Sequence, residues 1–356
     1  MRRAWMLLVM VPFITGLLPD PAGAQAWRTP RMSWGHPDLE GIWSTATITP
    51  LERPPELASK EFFTVDEAAQ HERLTLERTN RDRRDGGAEA DVARAYNDFW
   101  WDSGTRVVPT RRTSLIIDPP DGRVPGLSTE GAERQAALAA ARKTRGPADN
   151  PEDRNLWERC ITRGLPTAML PQVYNNHYQI IQTKDHVVIV TEMIHDARII
   201  PIDGTPHAPA HVRSWMGDSI GRWDGETLVV ETTNFTDKTN YRGAGEHLRL
   251  VERFRRTAPD ILLYQVTVDD PTTFTRPWTI ELPVRRSTGD IYEYACHEGN
   301  YGLEGILRGH RWQEKNATEQ AAKKPSADSA DYADSGLRGS SGLSRLKMTR
   351  IKDRKD

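Results

Sequence analysis

Apolar and polar positions alternate most regularly in the second half of the chain, with the two-residue period of a pleated strand. In Gly221–Phe235 (GRWDGETLVVETTNF), Leu228, Val230 and Thr232 share one face, and Val229, Glu231 and Thr233 the other. Asp224-Gly225 sits between two apolar runs and marks a tight turn between antiparallel strands. Strand-like runs follow over Leu248–Arg256, Ile261–Asp269, Phe274–Leu282 and Ile291–Glu298. Turn-forming Ala258-Pro259-Asp260, Asp270-Pro271-Thr272 and Ser287-Thr288-Gly289-Asp290 separate them. Upstream, Thr113–Asp118, Tyr178–Thr183, Val187–Met193 and Ala197–Ile202 have the same character. Short strands at this spacing predict an antiparallel meander closed as a barrel or sandwich.

The N-terminal third is patterned differently. Thr64-Val65-Asp66-Glu67 is a capping box, which predicts a polar helix running toward Arg84. The alanine-rich Thr129–Lys143 predicts a second helix. Before both, Pro37–Ser44 (PDLEGIWS) places Gly-x-Trp at the start of a strand, as many lipocalin-like barrels begin. The expected fold is therefore mainly β, of α+β type. It is an antiparallel lipocalin-like barrel or meander over 156–312, with a first strand and helical additions over 25–155 packed on it. Phe99-Trp100-Trp101 is more aromatic surface than a loop needs, and burial against the barrel is the simplest account of it.

Composition changes the picture at the two ends. Arg2-Arg3, an apolar run from Ala4 to Leu18 and small Ala22-Gly23-Ala24 have the form of a secretory signal peptide over 1–24. Ala24-Gln25-Ala26 is an equally good cleavage site. A periplasmic or secreted protein is expected, with no membrane span. From Gln313, Ala, Ser, Asp, Lys and Gly dominate without apolar period, the composition of a disordered tail. The 48 basic and 50 acidic residues leave a net charge of −2, which gives no reason to expect nucleic acid as a partner. In an oxidising compartment the only two cysteines, Cys160 and Cys296, are expected to form a disulfide.

Several long stretches resemble a family of exported, uncharacterised bacterial proteins. They are the Pro37–Trp43 start, Ser114–Gly122 (SLIIDPPDG), Arg159–Pro166 (RCITRGLP), His195–Asp203 (HDARIIPID), Gly221–Phe235 and Tyr294–Tyr301 (YACHEGNY). The resemblance spans about residues 33 to 312. It implies export and a shared fold, and it supplies no reaction.

Candidate chemistry lies at strand ends, where a barrel mouth gathers functional groups. His195-Asp196-Ala197-Arg198 and His297-Glu298-Gly299-Asn300-Tyr301 each follow a strand-like run. His195, Asp196, His297, Glu298 and Tyr301 are expected to converge there. In that arrangement His195 shuttles a proton, Asp196 or Glu298 orients it and Tyr301 holds the substrate. Glu252 falls on the face of Leu248, Leu250 and Phe254, and Glu192 on that of Val188 and Val190. If those faces are interior, burial raises both acids toward acid-base use, unless a buried arginine pairs with each. His177, Arg198, Trp223 and Asn300 are candidate ligand contacts. Pro209 between His207 and His211 argues against a helix presenting both imidazoles, and no metal is assigned. No protease, hydrolase, nucleotide or cofactor motif is present. A small organic molecule, bound or processed by cofactor-independent acid-base chemistry, is the expected partner. A non-catalytic binding or cell-envelope interaction protein is the alternative.

Overall fold

The computed structural model describes residues 27–94, 97–239 and 241–323. The signal-peptide reading lies outside them. Nine strands form one antiparallel sheet: β1 (Gly41–Ser44), β3 (His177–Gln182), β4 (His186–Thr191), β5 (Ala197–Pro201), β6 (Asp218–Asp224), β7 (Thr227–Thr233), β8 (Arg249–Ala258), β9 (Ile261–Asp269) and β10 (Trp278–Arg286). Their order is β5-β4-β3-β1-β10-β9-β8-β7-β6, and the short β2 (Ile116–Asp118) pairs with the first part of β10. The two end strands, β5 and β6, lie side by side without a hydrogen-bonded ladder. The result is a nearly closed β-barrel.

Alternation along the strands sets the interior. On β9, Leu262, Tyr264, Val266 and Val268 are fully buried while the residues between them are not. Each such aliphatic side chain contributes about 1.5–3 kcal/mol on burial. Leu250, Glu252 and Phe254 of β8 point the same way. Trp43 of β1 is buried near the guanidinium groups of Arg256 and Arg286, and its indole N–H donates to the Leu39 carbonyl at 3.0 Å.

The N-terminal additions are helical as expected. α1 (Val65–Thr79) starts at a reciprocal capping box in which Thr64 and Glu67 satisfy each other's backbone N–H groups. It stops at Thr79 because Asn80 is non-helical, short of Arg84. α2 (Gly87–Ala93) follows, then α3 (Thr129–Arg142), capped by the Ser128 hydroxyl. Phe63, Ala68 and Val107 form a small core of their own beneath α1.

Three expectations need correction. The strand expected over Phe274–Leu282 begins at Trp278 and runs to Arg286. The buried Asp270 carboxylate accepts hydrogen bonds from the Thr272 and Thr273 hydroxyls, and this extends the turn after β9. Ile291–Glu298 forms no strand. One side of β10 is taken by β9 and the other by β1 and β2, so the sheet has no place for a further strand there. Finally, Gln313–Lys323 is not an irregular tail: it belongs to α4 (Tyr301–Lys323). Its Ala, Glu, Gln and Lys residues favour helix even without an apolar face. Residues 324–356 lie outside the described part.

Cys160 and Cys296 are bonded, with Cα atoms 5.7 Å apart. The bond ties the loop before β3 to the segment that follows β10, rather than to a last core strand.

Candidate functional site

β3 and β4 form a hairpin whose open end reaches a barrel mouth. His177 is the first residue of β3, and Glu192 is the first residue beyond β4. The Glu192 N–H donates to the His177 carbonyl at 2.9 Å, which holds the two side by side. Their side chains meet as well, with His177 Nδ1 3.1 Å from Glu192 Oε2. The Tyr292 N–H donates to the other carboxylate oxygen at 3.3 Å.

The electrostatics follow from this pairing. The hydrogen bond that His177 donates to Glu192 raises the His177 pKa against the opposing effect of partial burial. Burial alone would raise the Glu192 carboxyl, but donation from His177 and the Tyr292 N–H outweighs it and holds the group low. Asp102 also faces the pair, and burial is the main cause of its raised pKa. With Nδ1 given to Glu192, His177 Nε2 makes no hydrogen bond among the described residues.

These three groups line a cleft of about 770 Å³ whose walls are aromatic: Phe99, Trp100, Trp101, Trp157, Tyr174 and Tyr292. Trp101 and Trp157 each approach Tyr174, at 6.4 and 6.5 Å between ring centres. The expected burial of Phe99-Trp100-Trp101 against the barrel is wrong for its first two members. Phe99 is 83% and Trp100 61% exposed, with their rings packed edge to face on each other. The buried Asn176 holds the wall in place. Its side-chain N–H donates to the carbonyls of Asp102 and Gln172, and its Oδ1 accepts from the Gln172 N–H at 2.7 Å.

The other proposed site residues are placed as follows. His195 is exposed in a one-turn 3-10 segment, has φ of 45°, and lies 3.1 Å from the Tyr294 carbonyl through Nδ1. Asp196 accepts from the Thr162 hydroxyl at 2.7 Å, and burial raises its pKa. The segments around 162, 195 and 294 thus do meet at the mouth. His297, Glu298 and Tyr301 are exposed, and among the described residues none forms a hydrogen bond or ion pair with the side chain of His195 or Asp196. Asn300 caps the neighbourhood of the disulfide instead, donating to the Glu158 carbonyl at 2.9 Å and to Cys160 Sγ at 3.3 Å. Trp223 stacks on His36 at the β6–β7 turn, at the opposite end of the barrel from Asp218.

Glu252 does point inward, as its parity implies. Its partner is Arg198, whose Nη1 and Nη2 donate to Oε1 and Oε2 at 3.1 and 2.5 Å. Burial would lower the Arg198 pKa, and the Glu252 charge more than offsets it. Tyr264 donates to Glu252 Oε1 at 3.0 Å; burial first, and the carboxylate next, push its own pKa well up. Arg198 and Glu252 are a buried structural pair, so the ligand role for Arg198 and the acid-base role for Glu252 are not what this geometry favours. Glu192 is different, for the inward face of β4 is Val187, Ile189 and Thr191, not that of Val188 and Val190. Glu192 is buried because the strand has ended and the chain turns toward His177.

Asp102, Trp157, Tyr174, Asn176 and Tyr292 belong to this site without any motif to mark them; only the crowding of Tyr174-Asn175-Asn176-His177-Tyr178 hints at it. His207 pairs with Asp218 at 2.6 Å, and His211 is exposed. Among the described residues, Asp149, His310 and Glu314 bring ligand-capable atoms within 4.8 Å of one another. Arg311 donates to the Ala148 and Asp149 carbonyls beside them, so the cluster clamps α4 to the loop before β3. No described helix is long and apolar enough to cross a membrane.

The molecule is thus a β-barrel carrying an aromatic cleft at one mouth, with a His–Glu pair in its floor. No protein-family model matches the chain, and no curated protein matches it either.

Proposed function

We propose that this protein binds a flat organic molecule in the aromatic cleft and moves a proton on it through His177. The observation that carries the reading is the His177–Glu192 pair, set among Trp101, Trp157, Tyr174 and Tyr292. Aromatic walls favour a planar ligand, since offset and edge-on ring contacts add about 0.5–1.5 kcal/mol each to area burial. Glu192 fixes the imidazole through Nδ1, and this leaves Nε2 as the atom that gives or takes the proton. The carboxylate of Glu192 raises the His177 pKa and so favours the protonated ring, which it steadies through Nδ1. Export through the N-terminal apolar segment belongs to the same proposal, supported by the Cys160–Cys296 bond.

The test is a screen of purified protein against planar aromatic compounds. Tryptophan fluorescence would report binding and mass spectrometry conversion. Trp101→Ala with Tyr174→Ala should weaken binding at least tenfold. His177→Ala should abolish conversion and leave binding within about threefold. Undiminished conversion by His177→Ala would remove the catalytic role, and undiminished binding by the double variant would remove the site.

A further inference from the structure

A second cleft, of about 1150 Å³, lies on the other side of Trp157, which lines both. Its walls come from the end of α3, the loop before β3 and the turn that carries Lys238. Three of its acids are each matched to an arginine: Asp153 to Arg145 at 2.7 Å, Glu158 to Arg154 at 2.5 Å and Glu152 to Arg159 at 3.7 Å. Arg142, Arg163 and Lys238 also line it, and none of them has an ion pair among the described residues. Six bases against three acids leave an excess of three positive charges facing one concavity.

Arg163 is the informative member. Its guanidinium lies over the Trp157 ring, 4.4 Å from the centroid, and its Nε is buried without a hydrogen-bond partner. Burial pushes its pKa down, and among the described residues no carboxylate forms an ion pair with its guanidinium. Stacking occupies one face of the guanidinium and leaves its Nη groups without a hydrogen bond among the described residues, and those are the donors that match an oxyanion two at a time. The buried Arg198 and Arg256, by contrast, each have a carboxylate: Glu252 for the first and, at 3.4 Å, Asp38 for the second.

We propose that this cleft is a binding site for the oxyanion of a small organic ligand, a carboxylate or phosphate that pairs with Arg163 while Arg142 and Lys238 draw it in from the rim. The site is distinct from the aromatic cleft and does not depend on His177. Trp157 makes it observable. Its fluorescence should respond to the non-planar anions cyclohexanecarboxylate and cyclohexyl phosphate, which do not suit the aromatic cleft, and not to neutral cyclohexylmethanol at the same concentration. Saturable binding of either anion supports the site, and the tighter of the two names the source of the oxyanion. Binding should weaken as salt rises, because an exposed rim charge acts within about a Debye length. Arg163→Gln should raise Kd at least tenfold, and Arg163→Lys should recover part of the loss. The exposed pair Arg142→Glu and Lys238→Glu, which carries no folding risk from burial, should raise it about tenfold. Equal binding of the neutral probe would overturn the proposal, and so would anion binding indifferent to both the Arg163 and the rim variants.

Discussion

The Arg198–Glu252 pair offers the sharpest test of how the barrel is held. Arg198 stands on β5, one side of the unpaired seam, while its contacts lie on β6 (Ser219, 3.2 Å), β7 (Thr232, 3.4 Å) and β8 (Glu252). Glu252→Ala would leave the guanidinium of Arg198, a residue 4% exposed, with hydroxyl partners only, and would strip Tyr264 of its acceptor. Removing one member of a buried pair costs about 3–5 kcal/mol. With a urea m-value near 3 kcal/mol/M this is a midpoint shift of about 1–2 M. Arg198→Met with Glu252→Leu should recover most of that loss, since apolar replacement of a whole buried pair is often neutral or stabilising. Urea unfolding of the single and double variants, read as a double-mutant cycle, measures the coupling. A Glu252→Ala loss below about 1 kcal/mol, or a double variant as unstable as the two singles summed, would show that the pair does not hold the seam.

Other outcomes follow from the same geometry. Glu192→Gln should lower the His177 pKa measured by NMR, since the carboxylate is what raises it. The stability that the raised His177 pKa contributes is full below the ordinary histidine value of about 6.5 and fades as pH climbs through the raised one; with Glu192→Gln this dependence should flatten. Replacing Cys160 and Cys296 by alanine should cost up to about 4–5 kcal/mol for a loop of sequence separation 136, measured by denaturant unfolding, and a thiol assay on the denatured native protein should find no free thiol. Asn176→Ala strands the Asp102 and Gln172 carbonyls and should cost about 1–3 kcal/mol, with a larger proportional loss in ligand binding at the aromatic cleft. His310→Ala removes the 2.8 Å contact with Asp149 and should make α4 more sensitive to protease while the barrel's melting temperature changes little.

The fold was legible wherever strand periodicity and turn chemistry agree. Asp224-Gly225 closes the β6–β7 hairpin, and β9 spans Ile261–Asp269 as its pattern implies. The inward direction of Glu252 followed from parity, and so did the option of a buried arginine partner. Ile291–Cys296 alternates like a strand, but alternation describes a face, not a vacancy, and the sheet had none beside β10. The site was harder to read because its parts are held by long-range contacts. Asp102 reaches His177 through Asn176 and the Val173 carbonyl, and Trp157 approaches Tyr174 across a loop. Neither link has a local spacing. Glu192 escaped parity because β4 ends at Thr191, one residue before it.

The seam between β5 and β6 bears on how this molecule behaves among copies of itself. An open sheet offers two rows of unpaired backbone groups to any passing strand, and natural proteins guard against such pairing. Here the two rows face each other. Gly221 lets them come close, for a Cβ there would sit 2.8 Å from an Ile202 methyl and 3.1 Å from one of Ile200. A bulkier residue at 221 would wedge the rows apart and present both to solvent. The glycine therefore guards against strand exchange and aggregation, and the first sign of its loss would be turbidity on concentration rather than a lower melting point.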